Sequence, residues 1–333
     1  MLESILHILP HPLKSIIISL PSSILSQMEE LRIREERPLE LGYGGRFGFV
    51  TSQGELTSKP SEAIRPSHDD CMKLLDLLTN HSVYTYEEEL KRGYITIAGG
   101  HRVGLAGRTV LEHGQVKLIR DITSFNIRVA REKKDCGLPV LPLLLDREHR
   151  KVHSALIISP PQHGKTTIIR DLARLISAGG CPPLMRMDAL KVGVVDERSE
   201  IAACFKGVPR FDVGPRTDVL DGCPKAEGMM MMIRSLSPDV IIVDEIGRPE
   251  DALAVHEAIH AGISVIATAH GSGLEDARRR PILRELLEAR AFDRIIQLRK
   301  TGGTVKVEAA YDSLGGRQDI SVQIGGRRRE ADA

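Results

Sequence analysis

One stretch constrains the architecture of this 333-residue chain more than any other. Ala155-Leu156-Ile157-Ile158-Ser159 is an apolar run of strand length, Pro160-Pro161-Gln162-His163-Gly164-Lys165-Thr166-Thr167 follows it, and Ile168 to Ser177 carries apolar residues at helical spacing. A strand that turns through glycine straight into a helix presents backbone N–H groups at the helix N-terminus. Phosphate oxygens need such convergent donors and the favourable dipole that accompanies them. The run reads as a P-loop, G-x-x-x-x-G-K-[ST], and predicts a nucleotide site made of Ser159, Pro160, Pro161, Gln162, His163, Gly164, Lys165, Thr166 and Thr167. In that site Gly164 permits close approach, Lys165 reaches the β- and γ-phosphates, and the Thr166 hydroxyl ligates magnesium. Ser159 stands where the motif has glycine. If that position needs a positive φ, serine strains the loop by ~1–3 kcal/mol and weakens nucleotide binding.

Hydrolysis of a phosphoanhydride also needs an aspartate for the magnesium shell and a carboxylate for the attacking water. Val240-Ile241-Ile242-Val243 is a buried-strand run ending in Asp244-Glu245, which places Asp244 at the metal and Glu245 at the water. Val192 to Val195 ends in Asp196-Glu197-Arg198-Ser199-Glu200, and Ser264 to Thr268 ends in Ala269-His270-Gly271. Ligands of doubly wound sheets lie beyond the carboxyl ends of the strands, so these clusters are expected to converge on the nucleotide. The catalytic candidates are Glu245, Glu197 and His270, the last through a hydrogen bond to the γ-phosphate. The cofactors expected are ATP and Mg2+.

Strand-length runs alternating with helix-length segments after residue 150 predict a parallel sheet covered by helices, an α/β P-loop domain over 151–314. The part before it reads differently. Leu2 to Leu20 forms short helices, Glu30 to Arg34, Pro38 to Leu41 and Arg46 to Val50 form strands, and Asp69-Asp70 opens a capped helix within Ser67 to Asn80. A second helix follows over Tyr86 to Lys91. Gly93 to Ile97, His101 to Val110, Gln115 to Ile119 and Phe125 to Val129 are extended runs. The expectation is a smaller α+β domain over 1–131, a linker over 132–150 and a flexible tail over 315–333. Met229 to Met232 is expected on a core-facing helix.

Forty-six basic against 45 acidic residues leave a net charge of +1, and aromatic residues are 3%, so no nucleic-acid partner is expected. The cysteines, 71, 136, 181, 204 and 223, have no CxxC pair, and no apolar run approaches the ~20 residues that span a bilayer. A cytoplasmic chain with free thiols is expected, touching membranes only peripherally.

Gly93-Tyr94-Ile95-Thr96-Ile97 with Gly99 to Arg108, Asn126 to Arg131, Pro160 to Thr167, Val195 to Glu200, Asp244 to Arg248 and Thr268 to Gly271 together resemble the stage III sporulation protein AA family, over residues 30 to 275. That family is similar to the type II and type IV secretion ATPases. The resemblance implies a C-terminal RecA-like P-loop ATPase domain, nucleotide bound between two domains, and a hexameric ring of identical chains. It also implies phosphate contact by a basic residue ending the N-terminal domain, matched here by Arg128, and a neighbour's arginine completing the site, with Arg198, Arg210 and Arg216 as candidates. The function implied is a motor at the mother-cell face of a sporulation channel to the forespore, beside membrane proteins that tie it peripherally to the membrane. A nucleic-acid-dependent P-loop ATPase and a non-hydrolysing nucleotide-gated scaffold, the latter motivated by Ser159, are the alternatives.

Overall fold

The computed structural model describes residues 2–320 except 113, 131, 147, 183, 302 and 303. The chain separates into two compact units, divided after residue 131. In the N-terminal unit α1 (Leu2–Ile8), α2 (His11–Ser19) and α3 (Ser22–Leu25) precede β1 (Met28–Arg34), β2 (Glu40–Tyr43), β3 (Arg46–Val50) and β4 (Leu56–Thr57). Then come α4 (His68–Leu78), α5 (Glu87–Arg92), β5 (Tyr94–Thr96), β6 (Arg102–Glu112) and β7 (Gln115–Arg128). The strands make an antiparallel sheet in the order β4-β3-β2-β1-β7-β6-β5. Alternation along β1 sends Leu31 and Ile33 into a core shared with Ile5, Leu13, Ile17, Leu74 and Leu78 of the helices. Ser67 caps α4 reciprocally with Asp70, which is why the helix starts there.

The runs 115–119 and 125–129, expected as separate, are one strand ending at Arg128. Arg120 and Asp121 hide its continuity in the sequence. Asp121 takes a positive φ of 48° and the β6 pairing shifts register between Ala106 and Arg108, so the strand bends through its charged stretch without ending.

The second unit contains α6 (Leu141–Leu144), β8 (Leu145–Asp146), β9 (Lys151–Val152), β10 (Ala155–Ser159), α7 (Lys165–Ala178), β11 (Gly180–Cys181), β12 (Met185–Arg186), β13 (Val192–Asp196) and β14 (Thr217–Asp221). It continues with α8 (Lys225–Ser235), β15 (Val240–Val243), α9 (Pro249–His260), β16 (Ser264–His270), α10 (Leu274–Arg278), α11 (Pro281–Glu288), β17 (Arg294–Thr301), β18 (Thr304–Asp312) and β19 (Arg317–Gln318). The main sheet has the order β14-β13-β15-β16-β10-β17-β18-β19, parallel as far as β17 and antiparallel beyond it. Successive residues of each parallel strand serve opposite faces. Ala155 and Ile157 pack with α7 residues such as Ile169, Leu172 and Ile176, whereas Leu156 and Ile158 pack with α8, α9 and α11 through Met229, Val255 and Leu286.

Three expectations change here. Residues 132–150 do not behave as a linker, because Val140, Leu141, Leu143 and Leu144 are buried and Gly137 N–H donates to Asp171 Oδ2 at 2.7 Å. Arg317 and Gln318, expected within the tail, pair with β18, while 321–333, including Arg327 to Arg329, lies outside the described residues. The four methionines cannot all face the core, since helical rotation spreads consecutive residues over most of a turn: Met229 and Met232 are buried, Met230 is half-buried and Met231 is exposed. Among the described residues no helix is long and apolar enough to cross a membrane.

Candidate nucleotide site

Ser159, the last residue of β10, is fully buried and pairs with His270, the last of β16, and the Gly271 N–H donates to the Ser159 carbonyl at 3.1 Å. The P-loop and the histidine therefore leave the sheet side by side. Ser159 is extended. The positive φ angles of the loop fall at Gln162 (61°) and Gly164 (80°), so the strain expected from serine at the first motif position does not arise, and the scaffold alternative loses its motive. Gly164 is the residue before α7, and a Cβ there would stand 2.9 Å from Val305 Cγ2 of β18. Pro160, Pro161 and Gln162 form the outer turn, and His163 Nδ1 donates to the Pro161 carbonyl at 2.9 Å. Beyond Gly164 the first-turn N–H groups of α7 have no intrahelical acceptor, the ordinary condition of a helix start.

Lys165 is buried, and its ammonium donates to the carbonyls of Ser159 (2.9 Å) and Pro160 (3.1 Å) and to His270 Nδ1 (2.9 Å). Burial pulls it below the usual lysine range, while the charges of Asp244 and Glu245 oppose that shift. An ammonium can only donate, so His270 Nδ1 accepts, the proton of the neutral ring resides on Nε2, and Nε2 donates to Glu245 Oε1 at 2.7 Å. Lys165, His270 and Glu245 thus form one unbroken line. The other Glu245 oxygen, Oε2, accepts from Arg198 Nη1 at 2.9 Å. Arg198, a candidate for the arginine supplied to a neighbour, has this partner within its own chain.

Asp244 connects the P-loop helix to the sheet. Its Oδ2 accepts from the Thr166 hydroxyl at 2.6 Å and its Oδ1 accepts from the Thr268 hydroxyl, which also accepts the Glu245 N–H at 2.9 Å. Glu245 has a φ of 53°, a conformation that non-glycine residues seldom hold without support. Thr268, fully buried, supplies that support, a role its place at the head of the Thr268 to Gly271 motif does not by itself announce.

Asp196 is buried at the end of β13, where it accepts the N–H groups of Glu200 (2.8 Å), Ile201 (2.9 Å) and Ala202 (2.9 Å). Burial pushes its carboxyl up to about 6, against those hydrogen bonds and with help from the Asp221 charge. Arg170 of α7 grips the same turn, donating through Nε to the Ile201 carbonyl and through Nη2 to the Glu200 carbonyl at 2.6 Å, and its guanidinium lies 4.0 Å from the centre of the Phe211 ring. Glu197 hydrogen-bonds Lys225 and lies 3.9 Å from Arg248 Nη1. Burial alone would raise the Glu197 carboxyl, but the Lys225 hydrogen bond and the charges of Lys225, Arg248 and Arg198 hold it below its usual value. One cleft is lined by Asp196, Glu197, Arg198, Glu200, Lys225, Asp244 and Glu245. The structure therefore brings together Ser159 to Thr167, Asp244, Glu245 and His270 by direct bonds or sequence, and Glu197 through the cleft. Arg128 belongs to the other unit, where it is exposed at the end of β7 and stands opposite Glu30 and Arg102 on the neighbouring strands.

Two solved structures share this architecture. The pilus retraction motor PilT with bound ADP aligns over 89% of this chain and 82% of its own, with a TM-score of 0.55 and 17% identity. The Legionella pneumophila ATPase DotB aligns over 86% and 77%, with a TM-score of 0.51 and 16% identity. The chain accordingly shares the fold of these two proteins, a RecA-like α/β P-loop domain preceded in sequence by an α+β unit. The profile of the family described as "Sporulation stage III, protein AA" matches residues 2–318. "Stage III sporulation protein AA" of Bacillus subtilis (strain 168) is 48% identical over 314 residues, which cover 94% of this chain and 96% of that protein. This chain belongs to the Sporulation stage III, protein AA family.

Proposed function

We propose that the chain is a magnesium-dependent ATPase that works as a hexameric ring in the mother-cell cytoplasm and energises a sporulation channel to the forespore, held to the membrane by partner proteins. The observation that carries the enzymatic part is the line from Lys165 through His270 to Glu245, whose two links join residues 105 and 25 positions apart at one end of the sheet. The residues fit magnesium nucleotide. A hydroxyl and a carboxylate, Thr166 and Asp244, stand 2.6 Å apart where the two motifs meet, and the α7 N-terminus opens beside them. Bound magnesium would polarise phosphate oxygens. Thr166 and Asp244 would hold it, Lys165 would balance phosphate charge, and Glu245 would take the proton of the attacking water at Oε1 or Oε2. His270, with its proton kept on Nε2 by Lys165, holds Glu245 in orientation. Arg128 is proposed to reach the phosphates from the N-terminal unit, and Arg198, Arg210 and Arg216, each of which also has a partner in its own chain, are the candidates for a neighbour's arginine.

Calorimetric titration with magnesium-ATP and a phosphate-release assay test this reading together. Lys165→Ala is expected to abolish binding. Glu245→Gln is expected to bind normally while turnover falls by roughly 10²–10⁴, the usual worth of a positioned base. Equal affinity of wild type and Lys165→Ala refutes the site, and unchanged turnover in Glu245→Gln refutes the role of that carboxylate.

A further inference from the structure

We propose that Lys225 is a positioning residue for hydrolysis, fixing Glu197 as an anion in the cleft it shares with Asp244 and Glu245, an inference that rests on the ATPase reading above. Lys225 is the first residue of α8, the end of a helix where the macrodipole disfavours a cation. It is nonetheless buried, with 7% of its surface exposed, and its ammonium points to Glu197 Oε2. The backbone delivers it there. A Cβ on Gly228 would run into the Val195 side chain, so only glycine lets α8 lie this close to β13, the strand whose end carries Asp196 and Glu197.

Ion pairs removed from water rarely stabilise more than an apolar pair of similar volume, so stability alone does not account for a lysine at this position. The cleft supplies the reason. Glu197, Asp244 and Glu245 line it together with Asp196 and Glu200, and carboxylates gathered in one site share protons unless a cation holds them ionised. Arg198 donates to Glu245 at 2.9 Å. Lys225 supplies the cation for Glu197, with Arg248 3.9 Å away on the other carboxylate oxygen. Glu197 is thereby held at Oε2, with Oε1 facing a second cation. Lys225 acts only through this partner and touches no reacting atom.

The test is a double-mutant cycle on the full-length chain, read as phosphate release, with nucleotide affinity and thermal melting measured alongside. Lys225→Met keeps the buried volume and removes the charge. It is expected to lower kcat about tenfold or more with KM for ATP within about threefold of wild type, because the loss falls on a positioned carboxylate and spares the phosphate-gripping loop. In a Glu197→Gln background the same change is expected to alter kcat by less than about twofold, since its partner is already gone. Lys225→Arg, which keeps the charge if Lys225→Met fails to fold, is expected to recover most of the rate. Additive effects in the double variant, or a Lys225→Met enzyme with wild-type kcat, overturn the proposal while leaving the ATPase reading intact. A wild-type chain that neither binds nor hydrolyses ATP overturns both.

Discussion

Thr268→Val offers the sharpest test of how the site is held. Valine has the shape of threonine, so the fully buried position keeps its packing and loses only the hydroxyl. That hydroxyl donates to Asp244 Oδ1 and accepts the Glu245 N–H at 2.9 Å. A hydrogen bond to a charged acceptor contributes ~1.5–3 kcal/mol and a stranded buried N–H costs ~1–3 kcal/mol. Both residues are half-buried, so water recovers part of this, and release of the left-handed Glu245 backbone returns about 1 kcal/mol more. The net loss is about 2–3 kcal/mol, which for a unit of this size lowers its melting transition by roughly 4–12 °C. Differential scanning calorimetry, with the transition of the second unit followed separately because two units need not melt together, measures it. Turnover is expected to fall about ten- to a hundredfold, since Glu245 loses its backbone anchor next to the chemistry. Thr268→Ser keeps the hydroxyl, loses one methyl and is expected to retain most of its activity. A Thr268→Val chain that melts within about a degree of wild type and hydrolyses normally, or a Thr268→Ser chain that loses as much, refutes the reasoning.

Gly164→Ala forces a side chain onto a backbone with φ of 80° and drives its Cβ to 2.9 Å from Val305 Cγ2, at a combined cost of about 2–4 kcal/mol, so weaker nucleotide binding by calorimetry and a lower melting point are expected. Unchanged affinity contradicts that. Asp196, raised to about 6 by burial, binds a proton more tightly folded than unfolded. Between the ordinary aspartate value near ~4 and about 6 its contribution to stability therefore falls as pH rises, by about 3 kcal/mol in all. In urea unfolding the stability of wild type relative to Asp196→Asn is expected to decline from pH 4 to pH 7, and a rise over that window has the wrong sign.

What the sequence made legible is the apolar framework and the motifs at its strand ends. Ala155 to Ser159, Val192 to Val195, Val240 to Val243 and Ser264 to Thr268 are all strands, because buried parallel strands must be apolar on both faces and so stand out from their surroundings. β14, β17 and β18 went unread, since Thr217 to Asp221 and Arg294 to Asp312 mix charge with apolar residues as strands toward a sheet edge do. The partners within the site were harder still. Arg198 read as one of three candidates for a neighbour's arginine, with nothing to link it to Glu245, and Lys225 carried no reading at all. Neither signal is local, because each depends on a helix or strand end brought in from more than 25 residues away.

Arg170 gives α7 a mechanical character that the sheet order alone would deny it. The Pro160 to Gly164 turn and the Asp196 turn project from β10 and β13, which have β16 and β15 between them, so a shift passed from strand to strand would cross two intermediaries. The guanidinium offers a shorter route. Five residues past Lys165 it clasps the carbonyls of Glu200 and Ile201, making the helix a rigid lever with a handle in the loop and a hook in the distant turn. Anything that tilts that lever at its loop end must drag the hooked backbone along, and with it the amides that cradle Asp196.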